Sequence, residues 1–141
     1  MRAVRALLKN SDAPWSLHPQ ESVFDALHTL ASHDVGALMV MEDGRLVGIL
    51  SERDYTRKVA LLGKASKDTR VADIMTAKVL TVAADSRTED CMTLMSQKKI
   101  RHMPVVDGDK VLGMISIRDI MDEIIADQEA TISQLQTYIA S

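Results

Sequence analysis

The chain repeats itself: residues 16–60 align with residues 81–125 at a constant offset of 65 and without a gap. Gly48-Ile49-Leu50-Ser51-Glu52-Arg53-Asp54 returns as Gly113-Met114-Ile115-Ser116-Ile117-Arg118-Asp119. Leu38-Met39-Val40-Met41 returns as Met103-Pro104-Val105-Val106, and Asp25 as Asp90. Elsewhere most polar positions change while apolar ones stay apolar. A duplication that keeps only its core pattern preserves a fold. One that also keeps Gly, Ser, Arg and Asp together points to a binding site present twice. Each unit spans about 45 residues and alone would bury too little surface to be stable. The 141 residues are therefore expected to form one domain-sized protein in which the two units share a core.

Read locally, each unit is β-α-β-β-α. In the first, Ser16-Leu17 is a short extended segment ended by His18-Pro19. Ser22-Val23-Phe24-Asp25 has the form of a capping box, with Asp in place of the commoner Glu. Val23, Ala26, Leu27, Leu30 and Ala31 fall at helical spacing, which predicts an amphipathic helix over 22–33. Gly36–Met41 reads as a strand, Glu42-Asp43-Gly44 as a hairpin turn and Arg45–Leu50 as the returning strand. A helix from Ser51 runs to about Leu62 and stops at Gly63. The second unit predicts a strand at Thr81-Val82, a helix over Ser86–Gln97, strands over 101–106 and 110–115 around Asp107-Gly108-Asp109, and a helix from Ser116. Gly63–Arg70 is polar and loop-like, and Val71–Met75 is a short helical turn leading into the second unit. The fold class is α+β, with 1–70 as the first repeat and its N-terminal segment and linker, 71–125 as the second repeat, and 126–141 as a helical extension. Ile120, Met121, Ile124, Ile125, Ile132, Leu135 and Ile139 draw an apolar stripe along that last helix, well past the repeat. Such a stripe either packs on another subunit or folds back on its own domain; a homodimer formed partly through this helix is the expectation.

Composition excludes several classes. A hydrophobic fraction of 46% with 26% charged residues is that of a soluble globular protein. The net charge of −3, with no block of like charge, gives no nucleic-acid footprint. No run of 18 apolar residues exists and Met1–Asn10 lacks a signal-like apolar stretch, so neither a membrane span nor export is expected. A single cysteine, Cys91, forbids an internal disulfide and fits a reducing, cytoplasmic setting. It falls on the apolar face of its helix, as a buried small hydrophobe rather than a nucleophile. Met92, Met95, Met103 and Met114 fit core positions. His18, His28, His33 and His102 have no metal-ligand spacing, so no metal is expected. No nucleophile–base arrangement or Walker-type loop is present, so no catalytic residues are assigned.

The chemistry sits in Gly-x-x-Ser-x-Arg-Asp, where a strand turns into a helix. The first N–H groups of a helix and the positive end of its dipole attract phosphate. Ser51 and Ser116 can donate hydroxyl hydrogen bonds there, and Arg53 and Arg118 offer planar forks that are always charged. Asp54 and Asp119 are acceptors suited to the vicinal hydroxyls of a ribose. Together these groups point to a nucleotide. Ser-x-x-Asp is also a capping box, and both roles can hold at once.

Asp73-Ile74-Met75-Thr76 with Val79-Leu80-Thr81-Val82, then Ile100-Arg101-His102-Met103-Pro104-Val105-Val106, then Gly113-Met114-Ile115-Ser116-Ile117-Arg118-Asp119, resembles a CBS domain. Residues 35–54 resemble its partner, and the likeness covers about 5–125. The resemblance implies a tandem pair, or Bateman module, packed through its sheets, with two clefts that bind adenosine derivatives: AMP, ADP, ATP, S-adenosylmethionine or NAD(H). The Asp would hold the ribose hydroxyls and the Ser would lie near phosphate. One cleft would join Ser51, Arg53 and Asp54 to Thr76, Val79 and the strand carrying Arg101, His102, Met103 and Pro104. The other would join Ser116, Arg118 and Asp119 to the Leu8–Trp15 region and to Gly36, Ala37 and Leu38. Arg101 and His102 stand where similar proteins place phosphate-contacting basic residues, unless they are solvated edge-strand residues; Gly36 and Ala37 carry no charge. The two sites should therefore differ in affinity for a phosphorylated ligand. Trp15 could stack on adenine or serve N-terminal packing. The implied function is a non-catalytic nucleotide sensor that acts on another protein in trans; the alternative is a structural or oligomerisation module with vestigial clefts.

Overall fold

Ser22 opens the first long helix as the sequence predicts, its hydroxyl accepting from the Asp25 N–H at 3.1 Å. Only this forward half of the capping box forms. The computed structural model describes residues 2–8 and 15–140. They fall into two compact units, one within residues 12–80 and the other joining the N-terminal segment to residues 81–141.

The first unit contains β1 (Ser16–Leu17), α1 (Val23–His33), β2 (Ala37–Glu42), β3 (Arg45–Ser51), α2 (Glu52–Tyr55) and α3 (Val71–Ile74). A π-type turn, Thr56–Ala60, continues α2 to Gly63, which takes the positive φ expected of a helix stop. The second unit contains β4 (Val82–Ala83), α4 (Thr88–Lys98), β5 (His102–Asp107), β6 (Lys110–Ser116) and α5 (Ile117–Ala140), with a 3₁₀ turn at Val4–Leu7. Helix α4 begins later than the predicted Ser86 and has no side-chain cap.

Each unit builds a three-stranded sheet, β1-β2-β3 or β4-β5-β6, in which the short first strand runs parallel to the middle one and the hairpin is antiparallel. β5 is therefore a middle strand, not an edge. The copies agree in detail. Both middle strands slip register at the same place, Val40/Met41 and Val105/Val106. Both long helices end on a left-handed residue, Asp34 and Lys99. At the first hairpin Asp43 and Gly44 both adopt positive φ, the conformation a tight two-residue turn requires.

Burial follows the apolar periodicity and forms a cluster within each unit. Leu17, Val23, Leu30, Leu38, Val40, Leu50, Val59 and Ile74 belong to the first. Val4, Cys91, Met95, Met103, Val105, Ile115 and Ile120 belong to the second. Met92 packs against the second cluster, and Met114 is half-buried.

Each unit is completed by the segment that precedes the other repeat in sequence. The N-terminal segment, predicted to belong to the first repeat, binds the second: the Val4 N–H donates to Ser86 O at 2.7 Å and the Arg5 N–H to Ala84 O at 3.0 Å. Residues 71–76, predicted to open the second repeat, bind the first: the Val71 N–H donates to Glu21 O and the Ala72 N–H to Pro19 O, both at 2.9 Å. Glu21 and Pro19 are the counterparts of Ser86 and Ala84 at the repeat offset of 65. Val4 and Val71 are both fully buried.

Helix α5 buries Ile120 and packs Ile117 and Ile124 against the second core. Every residue from Ile125 to Ala140 is exposed. The stripe therefore does not fold back on its own unit. Among the described residues, no helix is long and apolar enough to cross a membrane.

Candidate functional site

Both predicted junctions form, and both are complete capping boxes. In the first unit β3 ends at Ser51, whose hydroxyl accepts from the Asp54 N–H at 3.1 Å while the Ser51 N–H donates to Asp54 Oδ2 at 3.0 Å. In the second, the Asp119 N–H donates to Ser116 Oγ at 3.2 Å and the Ser116 N–H to Asp119 Oδ2 at 2.8 Å. Two orphan donors are satisfied reciprocally at each helix start. Ser and Asp are half-buried in both copies, whereas Arg53 and Arg118 are exposed and extend the positive end of each helix into solvent.

The surroundings of the two carboxylates differ. Asp54 Oδ2 also accepts the Ser51 hydroxyl proton at 3.0 Å, and Oδ1 lies 3.4 Å from Thr76 Oγ1 and 3.2 Å from Lys58 Nζ. Lys58 donates as well to Ile74 O at 2.8 Å, tying the π-type turn to the end of α3, from which the chain runs on to Thr76. That segment is further fixed by reciprocal backbone bonds between Ile49 and Thr76 at 3.0 and 2.9 Å. Gly48 lets it approach: a Cβ there would meet Met75 Sδ at 2.6 Å and Thr76 O at 3.0 Å. Lys58 escaped the sequence reading, although Asp54 and Lys58 stand at the i,i+4 spacing of a helical ion pair.

Asp119 has no cation beside it among the described residues. The counterpart of Lys58 is Glu123, and Glu123 turns to the N-terminal segment: the Arg2 guanidinium donates to it through Nε at 2.7 Å and through a second nitrogen. These hydrogen bonds hold the Glu123 carboxyl below its ordinary range and raise Arg2 further. Leu8 fills the place of Met75, with its Cδ2 3.0 Å from a Cβ built on Gly113.

Within the first unit, Ala37 pairs with Ser51 and the Gly36 carbonyl accepts from the Glu52 N–H at 3.0 Å, so both stand beside the first junction. His102 likewise pairs with Ser116, and the Arg101 carbonyl accepts from the Ile117 N–H at 2.8 Å. The backbones of Arg101 and His102 therefore adjoin the second junction, with Arg101 exposed and His102 half-buried. Ala37, Leu38, Met103 and Pro104 are buried, and Leu38 and Met103 are committed to the cores of their units. Thr76 is exposed and Val79 half-buried. Of the Leu8–Trp15 region, residues 9–14 lie outside the described residues. Trp15 stacks on His33 with ring centroids 3.9 Å apart, a local packing role.

A separate groove of about 350 Å³ lies in the first unit between α1 and α2, lined by Leu27, Leu30, Ala31, Glu52, Tyr55 and Thr56. None of the predicted site residues lines it. Among the described residues no group of three or more His, Cys, Asp or Glu could hold a metal ion. Cys91 is buried and its thiol is pushed up to about 11 by desolvation, so it is protonated and inert at neutral pH.

Residues 4–61 and 71–126 each match the family model described as CBS domain. Over 137 residues the chain is 36% identical to the mitochondrial CBS domain-containing protein CBSX3 of Arabidopsis thaliana, a match covering 93% of this chain and 66% of that one. The chain thus spans just under two thirds of that relative's length. A CBS-domain protein of Burkholderia ambifaria superimposes with a TM-score of 0.83 at 41% identity, covering 89% of this chain and 94% of that one. The CBS domain pair of the protein MJ0100, solved in complex with 5′-methylthioadenosine and S-adenosyl-L-methionine, superimposes with a TM-score of 0.78 at 28% identity, covering 89% and 97%.

Proposed function

We propose, taking as premise that this chain belongs to the CBS domain family, that it is a non-catalytic sensor which binds an adenosine-type ligand at its strand-to-helix junctions. Proteins of this family are regulatory modules, and the MJ0100 pair holds two adenosine-containing ligands. One observation carries the reading. The Ser-x-Arg-Asp turn is built twice with the same bonds, each time with an exposed arginine at the start of a helix. The helix dipole and the arginine favour phosphate, and the carboxylate offers lone pairs to ribose hydroxyls. AMP, ADP, ATP, NAD(H) and S-adenosylmethionine are the ligands this chemistry admits. On this reading the ligand shifts the module between two shapes by its differential affinity for them, and a partner protein reads that change in trans. A homodimer formed partly through α5 presents that response; the exposed stripe beyond Ile125 supports it.

A second reading is favoured by Asp54 itself. Both of its oxygens are already engaged, by Ser51, Thr76 and Lys58. On that reading the first junction is structural, and the module serves assembly only. Thermal unfolding with and without AMP, ATP, NADH and S-adenosylmethionine separates the two. A ligand at a hundred times its dissociation constant adds about 2.7 kcal/mol, a shift of several degrees for a domain of this size. A shift that Asp54→Ala or Asp119→Ala removes supports the sensor and names its working junction. No shift with any ligand leaves the structural module.

A further inference from the structure

Helix α5 carries two apolar faces with different fates. Ile117, Ile120 and Ile124 are used by the second core. Met121, Ile125, Gln128, Ile132, Leu135 and Ile139 lie on the outer face and follow one another in steps of four and three residues. This is the a/d seam of a coiled coil rather than the broader stripe of a helix lying on a globular core. Ile132 and Leu135 are 55% and 56% exposed, and residues 125–140 are all exposed. A solvated helix of this length is marginal by itself. Resting on the dimer proposed above, we propose that this face is covered by the same helix of a second copy, in a parallel, in-register two-stranded coil.

Three features on the helix select that partner and orientation. The first is side-chain shape: Ile125, Ile132 and Ile139 occupy one seam position and Met121 and Leu135 the other, the β-branched-at-a, Leu-at-d arrangement that favours two strands in a parallel coil. The second is Gln128, the one polar residue in the seam. In a parallel pair Gln128 meets Gln128 of the second copy, and the two amides hydrogen-bond to each other. In an antiparallel pair of full overlap Gln128 would face Ile132, burying an amide without a partner. The third is charge. The flanking positions on one side are Asp122, Glu129 and Gln136, and on the other Ile124, Thr131 and Tyr138. A parallel pair sets each acid against an uncharged flank, whereas the antiparallel pair sets Glu129 against Glu129. After Arg118 the helix has no Lys or Arg, so an anionic membrane or a nucleic acid is a poor partner for it.

The test uses the full chain in sedimentation and in oxidative cross-linking; buried Cys91 needs no replacement. Leu135→Cys should form an intermolecular disulfide with oxidised glutathione, and Gln134→Cys, on the outward face, should not. In the antiparallel pair the two 135 positions would lie roughly 15 Å apart along the axis, too far for the bond. Ile132→Lys should convert dimer to monomer while the far-ultraviolet and thermal signatures of the folded units persist. Gln128→Leu should keep association but admit trimers or tetramers, since the residue that fixes register is gone. A monomeric wild type overturns both the dimer and the coil. A dimer that Ile132→Lys leaves intact overturns the coil alone and assigns the dimer to another surface. A dimer dispersed by Ile132→Lys but unlinked through Leu135→Cys overturns the parallel register.

Discussion

The two strand-to-helix junctions are the same turn in different electrical company. At the first, the carboxylate of Asp54 is met by the Lys58 ammonium and the Thr76 hydroxyl. At the second, Asp119 accepts from the Ser116 N–H, and the position of Lys58 holds Glu123, neutralised by Arg2. One duplication event leaves identical backbone hydrogen bonds, because those bonds cap a helix and cannot be lost cheaply. The side chains one turn further along are free to diverge, since an exposed ion pair contributes little to stability. What differs between the copies is thus the part of the site that a ligand's charge would read. Lys58 joins Arg53 at the first junction, whereas the matching position at the second holds Glu123, itself held by Arg2.

The largest expected break in the likeness comes from the glycines. Gly48→Ala should cost about 1–3 kcal/mol by overpacking, because the new methyl meets both Met75 and the Thr76 carbonyl. Gly113→Ala should cost less, as only the tip of Leu8 stands in the way and can turn aside. Denaturant midpoints of the two variants measure the contrast, and equal losses would contradict it.

Next in size are the carboxylates. Asp54→Ala and Asp119→Ala each remove a cap worth about 1 kcal/mol. Asp54→Ala should lose a few tenths more through the Lys58 and Thr76 contacts, which are only partly desolvated. Urea unfolding of both variants decides this; a larger loss from Asp119→Ala would reverse the comparison.

Smaller still in stability is Lys58→Met, expected within about 1 kcal/mol of wild type. Its larger signature is in binding: the thermal shift given by ATP should fall while that given by uncharged adenosine holds. An unchanged ATP shift would remove Lys58 from the site.

The smallest effect is one of pH. Glu123 has a folded-state carboxyl below its unfolded value, so its pairing with Arg2 adds stability that is present above the ordinary carboxylate range and is lost as the pH falls into the acid range. Glu123→Gln should flatten that part of the pH–stability curve without moving the neutral-pH midpoint by more than a few tenths of a kcal/mol. An unaltered acid limb would show that the pair is inert.

The elements were legible because each rests on local physics. Ser22, Ser51 and Ser116 announce helix starts, Asp43-Gly44 announces a hairpin, and apolar spacing separates helix from strand. Capping at the two junctions could be read from Ser-x-Arg-Asp alone. Lys58 was legible in principle, four residues after Asp54, but an isolated i,i+4 pair is too common to single out. The role of Val4–Leu8 was hidden. Its likeness to Val71–Met75 lies in one buried valine and a turn, too little to notice without the shared hydrogen bonds to Ala84 and Ser86 on one side and to Pro19 and Glu21 on the other.

By itself, then, the sequence determined the repeat, the secondary structure, the family and the residues that cap each junction, since all of these depend on neighbours within a few positions or on a fixed offset. Tertiary structure decided which segment completes which unit, and with it whether a junction is faced by Thr76 and Lys58 or by Leu8 and the Arg2–Glu123 pair. A short buried valine can fill the same hole on either repeat. Only the closed path of the chain, with each upstream segment docked on one set of strands, settles which hole it fills.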